Sequence, residues 1–507
     1  MPEYSPGSGP GRWVLAATVL SAAAVFLLGS GVSIALPSIQ SHFAGQLSGL
    51  QWVVNAYLLT LAALLPIGGS LGDRFGRKRI LLVGMIVFAF AGVLSAFARS
   101  IVQLTAFQAI QGIGSALVVP QNLAIINVSF AEGKRGQVIG LWAGLSGAVS
   151  ALGPWVSGWL VEHFSWSAVF FLSVLVVVAA FFISYVFVPE SRNQNARRVD
   201  WLGASLLFAA LFGIVYGLIS GPSDWTSPLV LVSLVGGVAL FLLFIFAEYH
   251  QREPAVPLRI FRSPLVSGAN AATLMVYTAL NGITLFSVLN LQQVHGYSPS
   301  LAGLALLPTI VCITLLSAPA GSMTDRNGQR LQMVVGPLLV AVGAFWLSAW
   351  AYSGGYLLGF FPGFLVLGFG MATLIAPLTK SALLVAPELS GAASGVNNAV
   401  SRVASLLAVA VLGAIMLSLF SARLSDSLSG SGLSGDQQLA ISGQAGKLGG
   451  VVIPDGFDVV ARANAEHVVS DSFDYAYRWA MATCSALALG GAVVSLFTIR
   501  NPSKIKT

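Results

Sequence analysis

Residues 68–79 read GGSLGDRFGRKR and gather charge in a chain that otherwise avoids it. The stretch holds Asp73 and four basic residues, whereas charged residues make up only 8% of the 507 residues and hydrophobic residues make up 56%. Residues 321–330, GSMTDRNGQR, repeat the same order of Gly, Ser, Asp-Arg and Gly in the second half of the chain. A pattern that recurs in both halves predicts an internally repeated architecture.

The composition predicts a protein embedded in a membrane. Mean hydropathy is +0.84, and the charged fraction lies far below the roughly 25% of ordinary soluble domains. The sequence divides into fourteen apolar stretches of about 20 residues, the length that crosses a bilayer core. We therefore predict an all-α polytopic membrane protein with fourteen transmembrane helices.

The positions of Lys and Arg predict the orientation. Positively charged loops stay on the cytoplasmic side, and most of the 25 Lys and Arg residues fall on the side of the N-terminus. An even number of helices puts both termini on one side, so the predicted topology is N-in and C-in, in the plasma (inner) membrane. The net charge of +7 then reflects this topology and contact with the lipid bilayer, not nucleic acid.

The order of the apolar stretches predicts two six-helix bundles, residues 1–199 and 250–507, with an inserted helix pair at 200–249. The Ser-, Gly- and Asp-rich segment at about 420–474 is expected to be an external loop, partly disordered, whose second half extends the last helix. Cys312 and Cys484 lie in apolar stretches, which predicts neither a disulfide nor a metal site. The segment at 420–474 shows no catalytic arrangement, and the chain has no Walker loop, so ATP is not the expected energy source. We predict a non-enzyme without a cofactor.

Several motifs together resemble one family. GGSLGDRFGRKR resembles the loop signature of the major facilitator superfamily, and GSMTDRNGQR resembles its degenerate second copy. GLSGAVSALGPWVSGWL (144–160) is similar to the Gly-Pro signature of the exporter branch. LTAFQAIQGIGSALVVP (104–120) and SGVNNAVSRVASLLAVAVLG (394–413) resemble helices of the fourteen-helix drug:proton antiporters. The resemblance covers nearly the whole chain and implies a secondary active transporter that exports small apolar or amphipathic compounds by alternating access.

The two charged turns and the Gly-Pro helix supply two sets of candidate residues. The turns are predicted to anchor the topology and to form a latch that closes in one conformational state, through Asp73, Arg74, Gly76, Arg77, Asp325 and Arg326. In the fifth helix, glycines remove side-chain bulk and a proline favours a bend, so that a neighbouring helix can approach closely. These residues are Gly144, Gly147, Gly153, Pro154 and Gly158.

Two residues usual in the antiporter branch are missing. Leu28 stands where the first helix of the family carries Asp, and Gln108 stands where its fourth helix carries Arg. On the predicted spans, no acidic residue lies deep in the membrane. Proton relays through transporters use buried Asp, Glu or His. The sequence therefore argues against standard proton-coupled drug antiport.

A neutral polar cavity is predicted instead. Polar residues recur at helical spacing on the ninth helix, and the first and fourth helices add others. The candidate lining residues are Ser30, Ser33, Gln108, Gln111, Asn270, Tyr277, Asn281 and Thr284. Arg402 lies well inside the thirteenth helix, where a charge needs a partner. Backbone carbonyls, Asn397 or Asn398, water and an anionic substrate group are all open as that partner.

Three functional classes remain open from the sequence. The first is an exporter of small apolar or amphipathic compounds. The second is a proton-independent facilitator or a flippase of lipid-like substrates, and the third is a non-transporting receptor with the same fold. We expect a monomer with a small-molecule substrate.

Overall fold

The computed structural model describes residues 4–5, 8–193, 199–251, 254, 256–351, 355–382 and 390–499. This part of the chain contains 14 helices that are long and apolar enough to cross a membrane, which confirms the predicted number of spans. The helices are α1 (Gly9–Phe43), α2 (Leu47–Phe75), α3 (Arg77–Ala96), α4 (Ile101–Ser129), α5 (Glu132–His163), α6 (Ala168–Phe187), α7 (Trp201–Ser220), α8 (Pro228–His250), α9 (Pro264–Gln293), α10 (Pro299–Ala305), α11 (Leu307–Asn327), α12 (Arg330–Trp350), α13 (Phe361–Ala382), α14 (Ser390–Leu407), α15 (Gly413–Ser429), α16 (Gly435–Ser442) and α17 (Val459–Thr498).

Some of the spans are composite. The helices α10 and α11 follow one another directly, and α14 continues through a π-helical turn, Ala408–Leu412, into α15. Helices dominate because a spanning segment must satisfy its backbone hydrogen bonds internally. Polar side chains cap several helix starts: Ser100 accepts from the Gln103 N–H before α4, and Asp458 accepts from the Ala461 N–H before α17.

The helices pack in two groups with a pair between them. In the first half, α1 to α6 pack mainly on one another, and in the second half α9, α11 to α13 and α17 do the same. The helices α7 and α8 form a close pair, since Cβ atoms at Gly213 and Gly237 would press on the partner helix's backbone. On the side of the first half, α7 packs on α2.

Hydrogen bonds define two faces of the molecule. At the first, Arg77 begins α3 and its N–H donates to the Ser191 carbonyl, and the Tyr4 N–H donates to the Ser129 carbonyl at the end of α4. We call this the charged-turn face. The opposite face, where α1 and α9 end and α10 begins, is the far face.

The segment at 420–474 is folded, and the expectation of partial disorder was wrong. The helix α15 runs to Ser429, α16 has a capping box between Ser434 and Gln437, and α17 begins at Val459. Ile441 and Leu448 of this segment are buried in the main hydrophobic core, and Gln444 Nε2 donates to the Val452 carbonyl at 2.9 Å. The predicted extension of the last helix is present.

Candidate functional site

The two halves are joined at the far face. Gln40 on α1 donates to the Lys447 carbonyl at 2.9 Å and accepts from Gln293 Nε2 at 2.6 Å. Gln292 Nε2 donates to the Ile34 carbonyl at 3.1 Å. Because Lys447 belongs to the folded 420–474 segment, this segment covers the ends of α1 and α9.

The Gly-Pro helix makes a second contact at this face. A Cβ on Gly158 would overlap the Pro299 carbonyl oxygen, and one on Gly303 would overlap the Pro154 carbonyl oxygen. The helices α5 and α10 therefore touch backbone to backbone, and Glu162 accepts from the Ser300 N–H at 3.3 Å. The other candidate glycines of α5 have different surroundings. A Cβ on Gly153 would lie 2.5 Å from Ser30 Oγ, whereas Gly144 and Gly147 have open space around them.

A cavity of about 560 Å³ separates the halves toward the charged-turn face. We call it the vestibule. Its walls come from α1, α2 and α4 on one side and from α14 on the other. Asp73 and Arg77 line it near the turn, and Asn398 and Arg402 line it from α14.

A second cavity of about 260 Å³ shares three lining residues with the vestibule, Val25, Phe26 and Arg402. We call it the inner pocket. Its remaining walls are largely apolar, from α1, α2 and α9. Its polar lining residues are Ser30, Ser33, Tyr57, Gln108, Asn281, Thr284, Arg402 and Ser405. The volume of the vestibule lies in the range of small-molecule sites, and that of the inner pocket is slightly below this range.

Arg402 stands where the two cavities meet. Its Cζ lies 5.9 Å from the centroid of the Phe26 ring, within the range of a cation–π contact. Among the residues that the structure describes, no acceptor forms a hydrogen bond or ion pair with the guanidinium. Of the partners left open above, Asn397 donates instead to Asn270 Oδ1 at 3.2 Å and to Thr273 Oγ1 at 3.0 Å.

The structure divides the polar stripe on α9. Asn270 and Thr273 are buried and bonded to Asn397, so they join α9 to α14. Asn281 and Thr284 line the inner pocket. Tyr277 packs on the hydrophobic core outside both cavities.

The fourth helix divides in the same way. Gln108 lines the inner pocket, and its Nε2 donates to Ser95 Oγ at 3.2 Å and to Gln111 Oε1 at 2.8 Å. Gln111 is buried beside Gly92 of α3, outside both cavities. Leu28, which stands where the family usually has Asp, lines the inner pocket.

The first charged turn is a network around Gly76. Arg77 Nη2 lies 2.8 Å from Asp73 Oδ1, and Glu190 accepts from the Lys78 and Arg79 N–H groups at 3.2 Å each. Gly76 has φ +111°, and a Cβ there would lie 2.6 Å from Glu190 Oε1. Arg74 stacks its guanidinium on Phe75. In the second copy of the turn, Gly328 has φ +81°, and the side chains of Asp325 and Arg326 lie outside the described residues.

Sequence reasoning missed several polar groups, some of which connect the halves. Gln51 Nε2 donates to the Val409 carbonyl at 2.7 Å, inside the π-helical turn. Gln40, Gln293 and Glu190 were also not singled out, because their partners are distant in sequence. Glu248, near the end of α8, is only 2% exposed, and its Oε2 accepts from the Val256 N–H at 2.9 Å.

Fourteen spanning helices around a cavity that lies between two halves define a helical membrane transporter rather than an enzyme. The sequence profile of the Major Facilitator Superfamily matches residues 18–203 and 201–409. The chain belongs to this superfamily.

Similar proteins agree with this assignment. The chain is 34% identical to the tetracenomycin C resistance and export protein of Streptomyces glaucescens, over 98% of this chain and 93% of that protein. It is 32% identical to the multidrug resistance protein Stp of Mycobacterium tuberculosis, over 81% of this chain and 76% of that protein. A crystal structure of a bacterial homolog of the human lysosomal transporter Spinster, inward-facing and unoccupied, shares the fold with a TM-score of 0.65 and 16% identity, over 98% of this chain and 100% of that one.

Proposed function

We propose that the protein is a secondary active transporter of the plasma (inner) membrane that exports small apolar or amphipathic compounds by alternating access. The observation that carries the proposal is the vestibule, which lies between the halves at one face while hydrogen bonds join them at the other. Similarity to export and multidrug resistance proteins supports the outward direction.

The proposed cycle treats residues 1–199 and 250–507 as two bundles that move relative to each other, with 200–249 as an inserted pair. With the N-terminus and C-terminus inside, the vestibule receives substrate from the cytoplasm or the inner leaflet. Export then requires the Gln40 contacts and the α5–α10 contact to separate while the charged-turn face closes. In that closed state, the Asp73 carboxylate would meet the positive N-terminal end of a helix of the second half.

Paired cysteines test this cycle in a chain whose Cys312 and Cys484 have been replaced. Glu162→Cys with Ser300→Cys reports the far face, where these residues already touch. Ser70→Cys with Gly395→Cys reports the vestibule, whose opposite walls they line. We expect each crosslink alone to stop transport and the two to exclude each other. If both formed in one molecule that still transported, alternating access would be the wrong mechanism.

The substrate class is tested by efflux from a drug-sensitive host without its own pumps. Tetracenomycin C, named for the Streptomyces relative, and a panel of neutral amphipathic compounds are the probes. Cells with the protein should accumulate less compound and grow at higher concentrations than cells with the far-face crosslinked variant. If the two kinds of cells accumulated all compounds equally, the export function would be contradicted and a non-transporting receptor would be favoured.

One observation favours a second candidate. The residues that line the inner pocket include no carboxylate, so the described part of the pocket holds no acidic proton carrier. A proton-independent facilitator or a flippase of lipid-like substrates fits this pocket as well. Uptake into liposomes with an imposed ion gradient separates the two, because a coupled exporter concentrates its substrate whereas a facilitator only equilibrates it.

A further inference from the structure

The inner pocket carries an unbalanced positive charge. Each hydroxyl and amide side chain that lines it takes part in a hydrogen bond within the protein; these residues are Ser30, Ser33, Tyr57, Gln108, Asn281, Thr284 and Ser405. Arg402 is the exception among the described lining residues, since no acceptor bonds its guanidinium. None of its five N–H donors has a hydrogen-bond partner among the described residues.

Neighbouring carboxylates do not balance this charge. Among the described residues that line the vestibule, two are acids, Asp73 and Asp200, and both belong to the charged-turn face. Asp73 accepts both of its side-chain hydrogen bonds from Arg77. Asp200 caps α7 through the Gly203 N–H at 2.8 Å and accepts from Gln251 at 3.1 Å. Both carboxylates are thus held at the mouth of the vestibule by other groups.

A charge inside a membrane span is costly unless something compensates it. A purely structural arginine would have carbonyl or carboxylate acceptors, and Arg402 has a ring on one side and a cavity on the other. The Phe26 face stabilises the cation but accepts no hydrogen bond in the plane of the guanidinium. That plane is suited to two parallel hydrogen bonds from a carboxylate or a similar oxyanion.

We propose that Arg402 is the anchor for an anionic oxygen group on the substrate, with an aromatic or aliphatic body in the inner pocket. This inference rests on the transport function proposed above and names the class of compound: small amphipathic acids, in preference to their cationic analogues. The pocket volume of about 260 Å³ suits a fused-ring system rather than a diacyl lipid. Phe26 offers a face on which a flat ring can stack.

Direct binding tests the inference without requiring transport. The probes are anthracene-2-carboxylate, anthracene-2-methanol and 2-(aminomethyl)anthracene, which share one ring system and differ in charge. Each is titrated against the purified protein in phosphatidylcholine nanodiscs. We expect the carboxylate to bind about 10- to 100-fold more tightly than the alcohol, the range for a hydrogen-bonded charge, and the ammonium to bind weakest.

Variants assign this preference to one residue. Arg402→Gln should reduce carboxylate affinity to that of the alcohol and leave alcohol affinity within about threefold. Arg402→Lys should retain part of the preference, because a point charge remains without the planar pair of donors. Arg99→Gln removes the same charge from an exposed position and should change nothing. Thermal unfolding of each variant shows that the protein is folded.

Four results would overturn the inference. They are equal affinities for the three probes, no binding of the carboxylate, a carboxylate preference that persists in folded Arg402→Gln, and loss of that preference when phosphatidylglycerol is added. The last would assign Arg402 to a lipid headgroup. A failure of this kind leaves the far-face and vestibule crosslinks unaffected, so it is distinguishable from a failure of the transport proposal.

Discussion

Asp73 and Arg77 form an ion pair across the turn between α2 and α3, with Arg77 Nε and Nη2 at 3.0 and 2.8 Å from Asp73 Oδ1. The Arg77 side chain is 16% exposed and the Asp73 side chain 40%. Within the described residues, the Asp73 carboxylate has no other hydrogen-bond donor. While the vestibule is open, the carboxylate therefore belongs to its own half of the molecule.

Asp73→Asn tests the latch. We expect transport to fall at least about fivefold, because the neutral side chain no longer favours the closed charged-turn face. Stability should change by less than about 1 kcal/mol, since a partly exposed pair contributes little. Efflux rates, expression level and substrate binding are the measurements, and Asp73→Glu is the control that keeps the charge. Normal turnover in Asp73→Asn would reduce the motif to a topology signal.

Gly76 and Glu190 should show coupled effects on stability. Glu190→Ala removes the acceptor from two N–H groups at the start of α3, which costs about 0.5–2 kcal/mol. Gly76→Ala costs more, because its φ of +111° disfavours a side chain and its Cβ meets Glu190. In the double variant, the new Cβ at position 76 no longer meets the Glu190 carboxylate. The loss of stability in the double variant should therefore be smaller than the sum of the losses in the two single variants. Strictly additive shifts of the melting temperature would contradict this contact.

Gln51 is expected to support the π-helical turn between α14 and α15. Gln51→Leu leaves the Val409 carbonyl without its 2.7 Å bond, a loss of about 1–3 kcal/mol for a buried group. A π-helical turn inside a helix often marks a functional position, so transport should fall more than stability alone explains. Thermal unfolding and efflux are measured together. Gln137→Leu, at an exposed glutamine of α5, is the matched control, and identical behaviour of the two variants would show that the bond is unimportant.

The glycines of α5 should separate by their contacts. Gly158→Ala forces the Pro299 backbone away, so the far-face crosslink between Glu162→Cys and Ser300→Cys should form less readily. Gly144→Ala meets open space and should leave the yield unchanged. The measurement is the rate of crosslinking in membranes. Equal rates in the two variants would mean that the close approach of α5 and α10 is not needed to close this face.

Much of the fold can be predicted from the sequence, because the lipid bilayer requires apolar helices of a defined length. Apolar length determines the 14 spans, and the two copies of the charged turn each contain a glycine at positive φ, Gly76 and Gly328. The prediction of partial disorder at 420–474 failed because contacts such as that between Gln40 and Lys447 stabilise this segment. These residues are far apart in the sequence, and the composition of the segment does not reveal the contact.

The candidate site was less predictable. Helical spacing shows which residues share a face of a helix, but it does not show what each of them contacts along the length of that helix. Asn270 and Asn281 share the predicted polar face of α9, yet one bonds to Asn397 and the other lines the inner pocket. Gly144 and Gly158 share a motif, and only Gly158 meets another backbone. Rotation and crossing of helices decide these outcomes, and they depend on every contact along the helix.

The last prediction concerns energy coupling. Antiport with protons needs a group that gains and loses a proton between the two open states. The described lining of the inner pocket offers amides, hydroxyls and one arginine, and it includes no carboxylate or imidazole. We therefore expect an imposed pH gradient of either sign to change uptake into proteoliposomes by less than about twofold. Asp73→Asn and Glu248→Gln are tested beside the unmodified chain. Asp73 lines the vestibule, and Glu248 is buried and bonded to Val256, which also lines it. Accumulation driven by the pH gradient alone would contradict the prediction, and its loss in a variant that still exchanges substrate without a gradient would identify the carboxylate that carries the proton.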